Sequence, residues 1–168
     1  PPTPHSPPPM TAAGVQPASL YHWYPSKEAI LVGMQDAFMA GLTDKLVAAM
    51  DRQPSPAHVL GAAVRAHVDY HGRNQRAAFV TDTEIRALDP AAQSKLIARR
   101  DAYEKRFRDA ISSGVDAGAF VAVDPVATAA YILSALNGLV AWYRPDGRLN
   151  ARTIADAYAD LSLRAVQA

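Results

Sequence analysis

The sequence predicts an all-α protein. Three observations carry that expectation. Apolar residues recur three and four positions apart through most of the chain, the spacing of one helix face. The pairs Ser55-Pro56, Asp89-Pro90 and Asp124-Pro125 repeat one start signal, a capping side chain followed by the ring tolerated in a first helical turn. No run alternates apolar and polar residues in the manner of a half-buried strand, and no hairpin turn separates such runs.

Residues 1–9 read Pro-Pro-Thr-Pro-His-Ser-Pro-Pro-Pro. Proline removes backbone donors and clashes with the preceding turn, so this leader is expected to be disordered or polyproline-II. Gly14 supplies the backbone freedom to leave one short helical piece, about Met10–Ala13, and enter the next, about Pro17–Trp23. Ser26 caps a long helix to about Arg52, with Ile30, Leu31, Met34, Phe38, Leu42, Leu46, Val47 and Met50 at helical spacing.

Ser55-Pro56 opens a helix to about Gly72 whose inner side holds Val59, Leu60, Ala63, Val64, His67, Val68 and His71. A shorter helix, about Gln75–Leu88, offers Phe79, Val80 and Ile85 to the core. Asp89-Pro90 begins a long helix to about Ala117, with Leu96, Ile97, Tyr103, Phe107, Ile111 and Val115 in register and its end loosened by Gly114 and Gly118. Asp124-Pro125 begins the next helix, which carries no charge from Val126 to Tyr143. That stretch is barely long enough for a membrane span and contains Thr128, Ser134, Asn137 and Gly138. It reads instead as a helix covered on one side by the bundle and on the other by a second subunit. Residues 144–148 form a turn, and Asn150 caps a last helix to about Val166 with a small-residue stripe at Ala151, Ala155 and Ala159. Ile154, Tyr158 and Leu161 add bulk to it.

Three regions follow: the leader 1–9, a head and linking helix 10–52, and a helical domain 53–168. With 168 residues, 49% of them hydrophobic and 20% charged, the chain can bury a sizeable core. The absence of cysteine excludes disulfides, thiolate metal sites and cysteine nucleophiles. No basic region precedes an apolar run at the N-terminus, so a cytoplasmic location without membrane partners is expected. A net charge of +1 means that any affinity for nucleic acid must come from a local patch. No phosphate loop, nucleophile elbow or carboxylate pair on an apolar background suggests an enzyme, and no cofactor is expected.

Two helices joined by a Gly-containing turn are the pattern of a helix-turn-helix, whose second helix enters the DNA major groove. The stretch Ala12-Ala13-Gly14-Val15-Gln16-Pro17-Ala18-Ser19-Leu20-Tyr21-His22-Trp23-Tyr24-Pro25-Ser26-Lys27-Glu28-Ala29-Ile30-Leu31 resembles the DNA-reading segment of TetR-family transcription regulators. Carried over by that resemblance, Pro17, Ala18 and Tyr21 match base-contacting places, with Gln16 and His22 beside them. Ser19, Tyr21, Trp23 and Lys27 match phosphate-contacting places. Ala18 could meet a thymine methyl and Gln16 an adenine. The resemblance implies a TetR-like fold with a helix-turn-helix head, here a remnant, ahead of a bundle for ligand binding and dimerisation. The proline-rich leader stands where the family has its first helix and most of its second.

The downstream segments Arg86-Ala87-Leu88-Asp89-Pro90, Arg100-Asp101-Ala102-Tyr103, Gly114-Val115-Asp116-Ala117-Gly118-Ala119-Phe120 and Trp142-Tyr143-Arg144-Pro145-Asp146-Gly147-Arg148-Leu149 are similar to a TetR subgroup that often senses acyl-CoA or related lipid thioesters. Aromatic and polar residues set into Ala-, Leu- and Val-rich helices suggest a cavity: Tyr70, Phe79, Tyr103, Phe107, Tyr131, Asn137, Trp142 and Tyr143, joined by His67 and His71. Any one of them alone reads as ordinary core. His67 and His71 stand four apart on one helix face, a spacing that can hold a metal. The position where a zincin places glutamate is Val68, however, and the pair reads better as cavity-lining than as a metal site.

Together these readings describe a DNA-binding repressor that acts as a homodimer through its last two helices. It would read a palindromic operator and answer to a small-molecule effector. The alternative is a dimeric small-molecule-binding or interaction protein with impaired DNA binding.

Overall fold

The computed structural model describes residues 26–167, and all regular structure within them is helical. The helices are α1 (Lys27–Met50), α2 (Pro56–Arg73), α3 (Gln75–Thr83), α4 (Pro90–Asp116), α5 (Pro125–Asn137), α6 (Leu139–Trp142) and α7 (Ala151–Arg164). A 3-10 turn, Glu84–Ala87, continues α3.

Each predicted capping side chain does bond the amide three residues on. The distances are 3.0 Å for Ser26, 3.4 Å for Ser55, 2.8 Å for Asp89, 2.7 Å for Asp124 and 2.9 Å for Asn150. Each satisfies one of the donors that a helix start leaves open. Local chemistry therefore sets where the helices begin.

Their arrangement follows from the apolar stripes. α2 lies at the centre, against α1, α4 and α7. Leu60, Ala63, Val64 and Val68 of α2 are fully buried among Leu46 of α1, Phe107 and Ile111 of α4, and Ala159 of α7. The stripe of α7 packs inside the same chain: Ala155 and Ala159 are buried, and Ala151 sits beside Gly72 of α2. The small-residue stripe thus serves close approach of α2. α1 is clamped to the first half of α4. Asp36 accepts from Lys95 at 2.6 Å and pairs with Arg99 at 3.4 Å, and the Glu28 carboxylate accepts from the Asp89 amide at 2.6 Å.

Some local expectations differ from the structure. The helix expected to be continuous from Pro125 to Tyr143 breaks at Gly138, between α5 and α6. Glycine in a helix interior costs about 1 kcal/mol relative to alanine, and here it lets the chain turn. Gly114 does not loosen α4; it lies buried within the helix, and the Phe120 ring occupies the space that a side chain would need. Gly118, at φ +67°, ends the helix in the left-handed region. Lastly, Phe79, Ile97 and Val47 are exposed rather than core, because each points off the buried stripe of its helix.

Candidate functional site

A cavity of about 250 Å³ opens between α1, α2, α4 and α5. Phe38, Met39 and Leu42 of α1 form one apolar wall, and Leu133 of α5 stands across from it. His67 and His71 of α2 close the inner end. Ala130, Ser134 and Asn137 line α5 at steps of four and three, and all three are exposed, so the cavity opens along that edge. Asp82 from α3, with Arg100 and Glu104 from α4, make up the polar part of the rim.

The inner end is a chain of aromatic contacts. The imidazoles of His67 and His71 stack with centroids 3.9 Å apart and planes 9° from parallel. Phe38 meets the edge of His71 at 5.3 Å, and Phe107 meets His67 at 6.5 Å and 81°. Tyr103 Oη lies 3.0 Å from His67 Nδ1, and His71 Nδ1 donates to the His67 carbonyl at 3.2 Å. A carbonyl only accepts, so His71 carries its proton on Nδ1 and leaves Nε2 as an acceptor. His67 Nε2 has no partner among the described residues.

Burial governs the charges here. Loss of solvent, then the neighbouring His71, hold His67 well below the usual histidine range, while Asn137 pulls weakly the other way. Burial brings His71 down to about 4, against a weaker rise from its bond to the His67 carbonyl. Both rings are therefore neutral at pH 7. Burial also raises Tyr103, so the phenol keeps its proton. Asp82 is pushed up by burial and pulled back by Arg100, which lies 3.5 Å away and also donates to the Thr81 carbonyl. The cavity offers neutral hydrogen-bonding groups at the end of an apolar slot, with one ion pair at the rim. The stacked rings do not converge on a point, and among the described residues no three His, Asp or Glu are grouped to hold a metal.

Of the residues that sequence suggested for a pocket, His67, His71, Tyr103 and Asn137 line this cavity. Phe107 and Tyr70 sit behind it, packed on His67 and Phe38 respectively. Tyr143 is buried elsewhere, with its carbonyl accepting from Gln75 at 2.9 Å. Phe79, Tyr131 and Trp142 do not reach the cavity: they are 51%, 67% and 44% exposed, because their helices turn these positions outward. Sequence reasoning missed Phe38, Met39 and Leu42 as lining residues, and Asp82, Arg100 and Glu104 altogether. The signal at hand was the step from Ala130 through Ser134 to Asn137, which marks one face of α5. Of the candidate DNA-contacting residues, Gln16, Pro17, Ala18, Ser19, Tyr21, His22 and Trp23 lie outside the described residues. Lys27 is the first residue of α1 and is exposed.

The family model for the tetracyclin repressor-like C-terminal domain matches residues 53–166, which hold most of these cavity residues. The chain belongs to the TetR family of transcriptional regulators. The bundle from α2 onward, with most of the cavity lining, is thus the C-terminal domain of a TetR-family protein. Among solved structures, the TetR-family regulator PfmR from Thermus thermophilus is 34% identical, with 92% of this chain and 85% of that one covered at a TM-score of 0.84. A regulatory protein of the same family from Rhodococcus RHA1 is 26% identical, covering 94% and 83% at 0.84. AibR, solved with isovaleryl coenzyme A and operator DNA, shares the fold at 24% identity, covering 90% and 83% at 0.79. No curated protein matches the chain in sequence.

Proposed function

We propose that this TetR-family chain is a homodimeric repressor that reads a palindromic operator through residues 16–27 and releases it when an effector occupies the α1–α5 cavity. One observation carries the reading. α1, the helix that follows the DNA-reading stretch, supplies a whole wall of the cavity through Phe38, Met39 and Leu42. An occupant presses on the helix that sets the position of the head. The Asp36 clamp ties α1 to α4, which brings Arg100 and Tyr103 to the same cavity. By linkage, an effector releases DNA only if it binds more tightly to the arrangement that does not fit the operator.

The dimer surface would be the outer face of the last helices. Val126 and Tyr131 on α5, Trp142 on α6 and Leu161 on α7 are all exposed. Of the apolar window Pro125–Trp142, only 28% is buried within the chain. This is the composition of a helix waiting for a second copy.

For the effector, AibR as a neighbour in fold supports an acyl thioester. The cavity volume of about 250 Å³ lies below the ~300–1,000 Å³ of pockets that enclose drug-sized ligands. It can therefore enclose a short acyl chain but not a whole coenzyme A thioester, whose nucleotide would stay outside the α5 edge.

Fluorescence anisotropy on palindromic DNA from upstream of the coding region tests the proposal. The expected result is binding that weakens steeply with salt and is reversed by a short-chain acyl-CoA. The second reading is a dimer that binds small molecules but not DNA. An intact dimer with no DNA binding at low salt would establish it.

A further inference from the structure

We infer that the cavity recognises its ligand by an uncharged oxygen, a carbonyl or hydroxyl, held by the Nε2–H of His67, and that it discriminates against ligands with a carboxylate or ammonium head. The inference rests on the reading of the cavity as an effector site and goes further by naming the head group and the atom that reads it.

One proton decides which edge of the His67 ring can donate. The Tyr103 phenol has a single hydrogen, is almost wholly buried, and has His67 Nδ1 at 3.0 Å as its polar neighbour. If Nδ1 were the donor, the phenol hydrogen would be buried without an acceptor, the costlier arrangement. Tyr103 therefore donates to Nδ1, and the proton of the neutral His67 ring sits on Nε2. That atom is buried, and no described residue accepts from it. His67 lines the cavity, and its Nδ1 edge is turned to Tyr103, so the Nε2 edge is left for an occupant. The Asn137 side chain on the same wall is a hydrogen-bonding neighbour of the His67 ring but falls short of full bonding geometry to Nε2, so an occupant competes with it for that proton. A buried donor of this kind is complementary to an acceptor oxygen.

The remaining lining decides the charge of that oxygen. His67 is neutral and offers a hydrogen bond but no counter-charge. Among the described lining residues Arg100 is the one with a fixed positive charge, and Asp82 and the Thr81 carbonyl already engage it. Asp82 and Glu104 bring negative charge to the rim. A carboxylate would thus enter an apolar slot without a free cation, which burial penalises heavily. An ammonium has no lone pair to offer Nε2–H. A hydroxyl can in addition donate to His71 Nε2, which the Nδ1–H tautomer leaves as an acceptor, whereas a ketone, ester or thioester carbonyl uses His67 alone.

The test uses the full chain and one carbon skeleton with five heads: hexane, hexanol, hexanone, hexanoate and hexylamine, titrated at pH 7.5 by calorimetry and by ligand-observed NMR. Hexanol and hexanone should bind at least about threefold more tightly than hexane, the worth of one net hydrogen bond. Hexanoate and hexylamine should bind more weakly than hexane. His67→Leu should erase the advantage of hexanone over hexane, and His67→Gln, whose amide can donate, should keep part of it. The unaltered protein gives a second readout. Nitrogen-15-labelled histidine should show His67 protonated on Nε2, with that resonance moving on addition of hexanol, and Tyr103→Phe should shift the tautomer balance.

Equal affinity for all heads, or tightest binding of hexanoate or hexylamine, overturns the inference while leaving the cavity as a binding site. A proton found on Nδ1 of His67 also overturns it. If no probe binds, hexane included, the effector-cavity reading itself falls.

Discussion

Two sets of aromatic residues lie in helical sequence of opposite character, one dense in charge and one with none, and end in opposite environments. Tyr103 and Phe107 of α4 are buried, packed 5.7 Å apart beside His67. Tyr131 and Trp142, on the uncharged stretch that follows, face outward. The difference teaches that an apolar helix states only that both its sides need cover. The inner side of α5 is covered by its own chain through Ala129, Ile132, Leu133 and Leu136. Its outer side is left to something else. An aromatic residue in such a helix can therefore serve stability or association, and its register relative to the buried stripe decides which.

Substitutions separate the two sets, beginning with the largest effect. Phe107→Ala should cost about 3–5 kcal/mol of unfolding free energy in urea titration, because the ring is fully buried and its removal leaves a cavity. Tyr131→Ala should leave the stability of the isolated chain within about 0.5 kcal/mol.

Acid comes next, and it acts through the buried histidines beside the first set. His71 titrates at about 4 when folded and near 6.5 when unfolded. Between those values the unfolded chain binds a proton that the folded chain refuses, so stability is present above 6.5 and falls as pH drops towards 4. His71 alone should account for a loss on the order of 3 kcal/mol, and the depressed His67 adds to it in the same direction. Unfolding titrations between pH 4 and 7 should show a shallower slope in His71→Gln than in the parent. An equal slope would remove His71 from this role.

The outer set is tested by association. Tyr131→Asp places a charge at the centre of the proposed dimer face and should weaken the dimer by at least tenfold in sedimentation, with a circular dichroism spectrum like that of the parent. A monomeric parent at micromolar concentration would end the dimer proposal. The smallest effect is expected at Phe79, half-exposed on α3 and not among the cavity-lining residues. Phe79→Ser should change neither stability, by more than about 0.5 kcal/mol, nor sedimentation.

Much of the fold was legible in the chain. Ser55-Pro56, Asp89-Pro90 and Asp124-Pro125 mark helix starts to the residue, since a cap and a proline act within one turn. The break at Gly138 was harder to read, because an isolated glycine is tolerated in many helices. The site was half legible. His67 and His71, four apart on a buried face, and Asn137, set into an apolar helix, stand out as polar residues. Asp82 and Arg100 do not, because each looks like any charged residue on a solvated helix until α3 and α4 bring them together at 3.5 Å.

By itself the sequence determined the helical class, the helix starts and, through its motif at residues 12–31, the family. These are local properties, set by capping bonds, proline geometry and periodicity. Only the tertiary structure decided that α1 forms a cavity wall, that Tyr103 reaches His67, and that Phe79, Tyr131 and Trp142 face away. Those outcomes depend on how α2 is enclosed by α1, α4 and α7, and that packing joins residues 36 positions apart in one hydrogen bond.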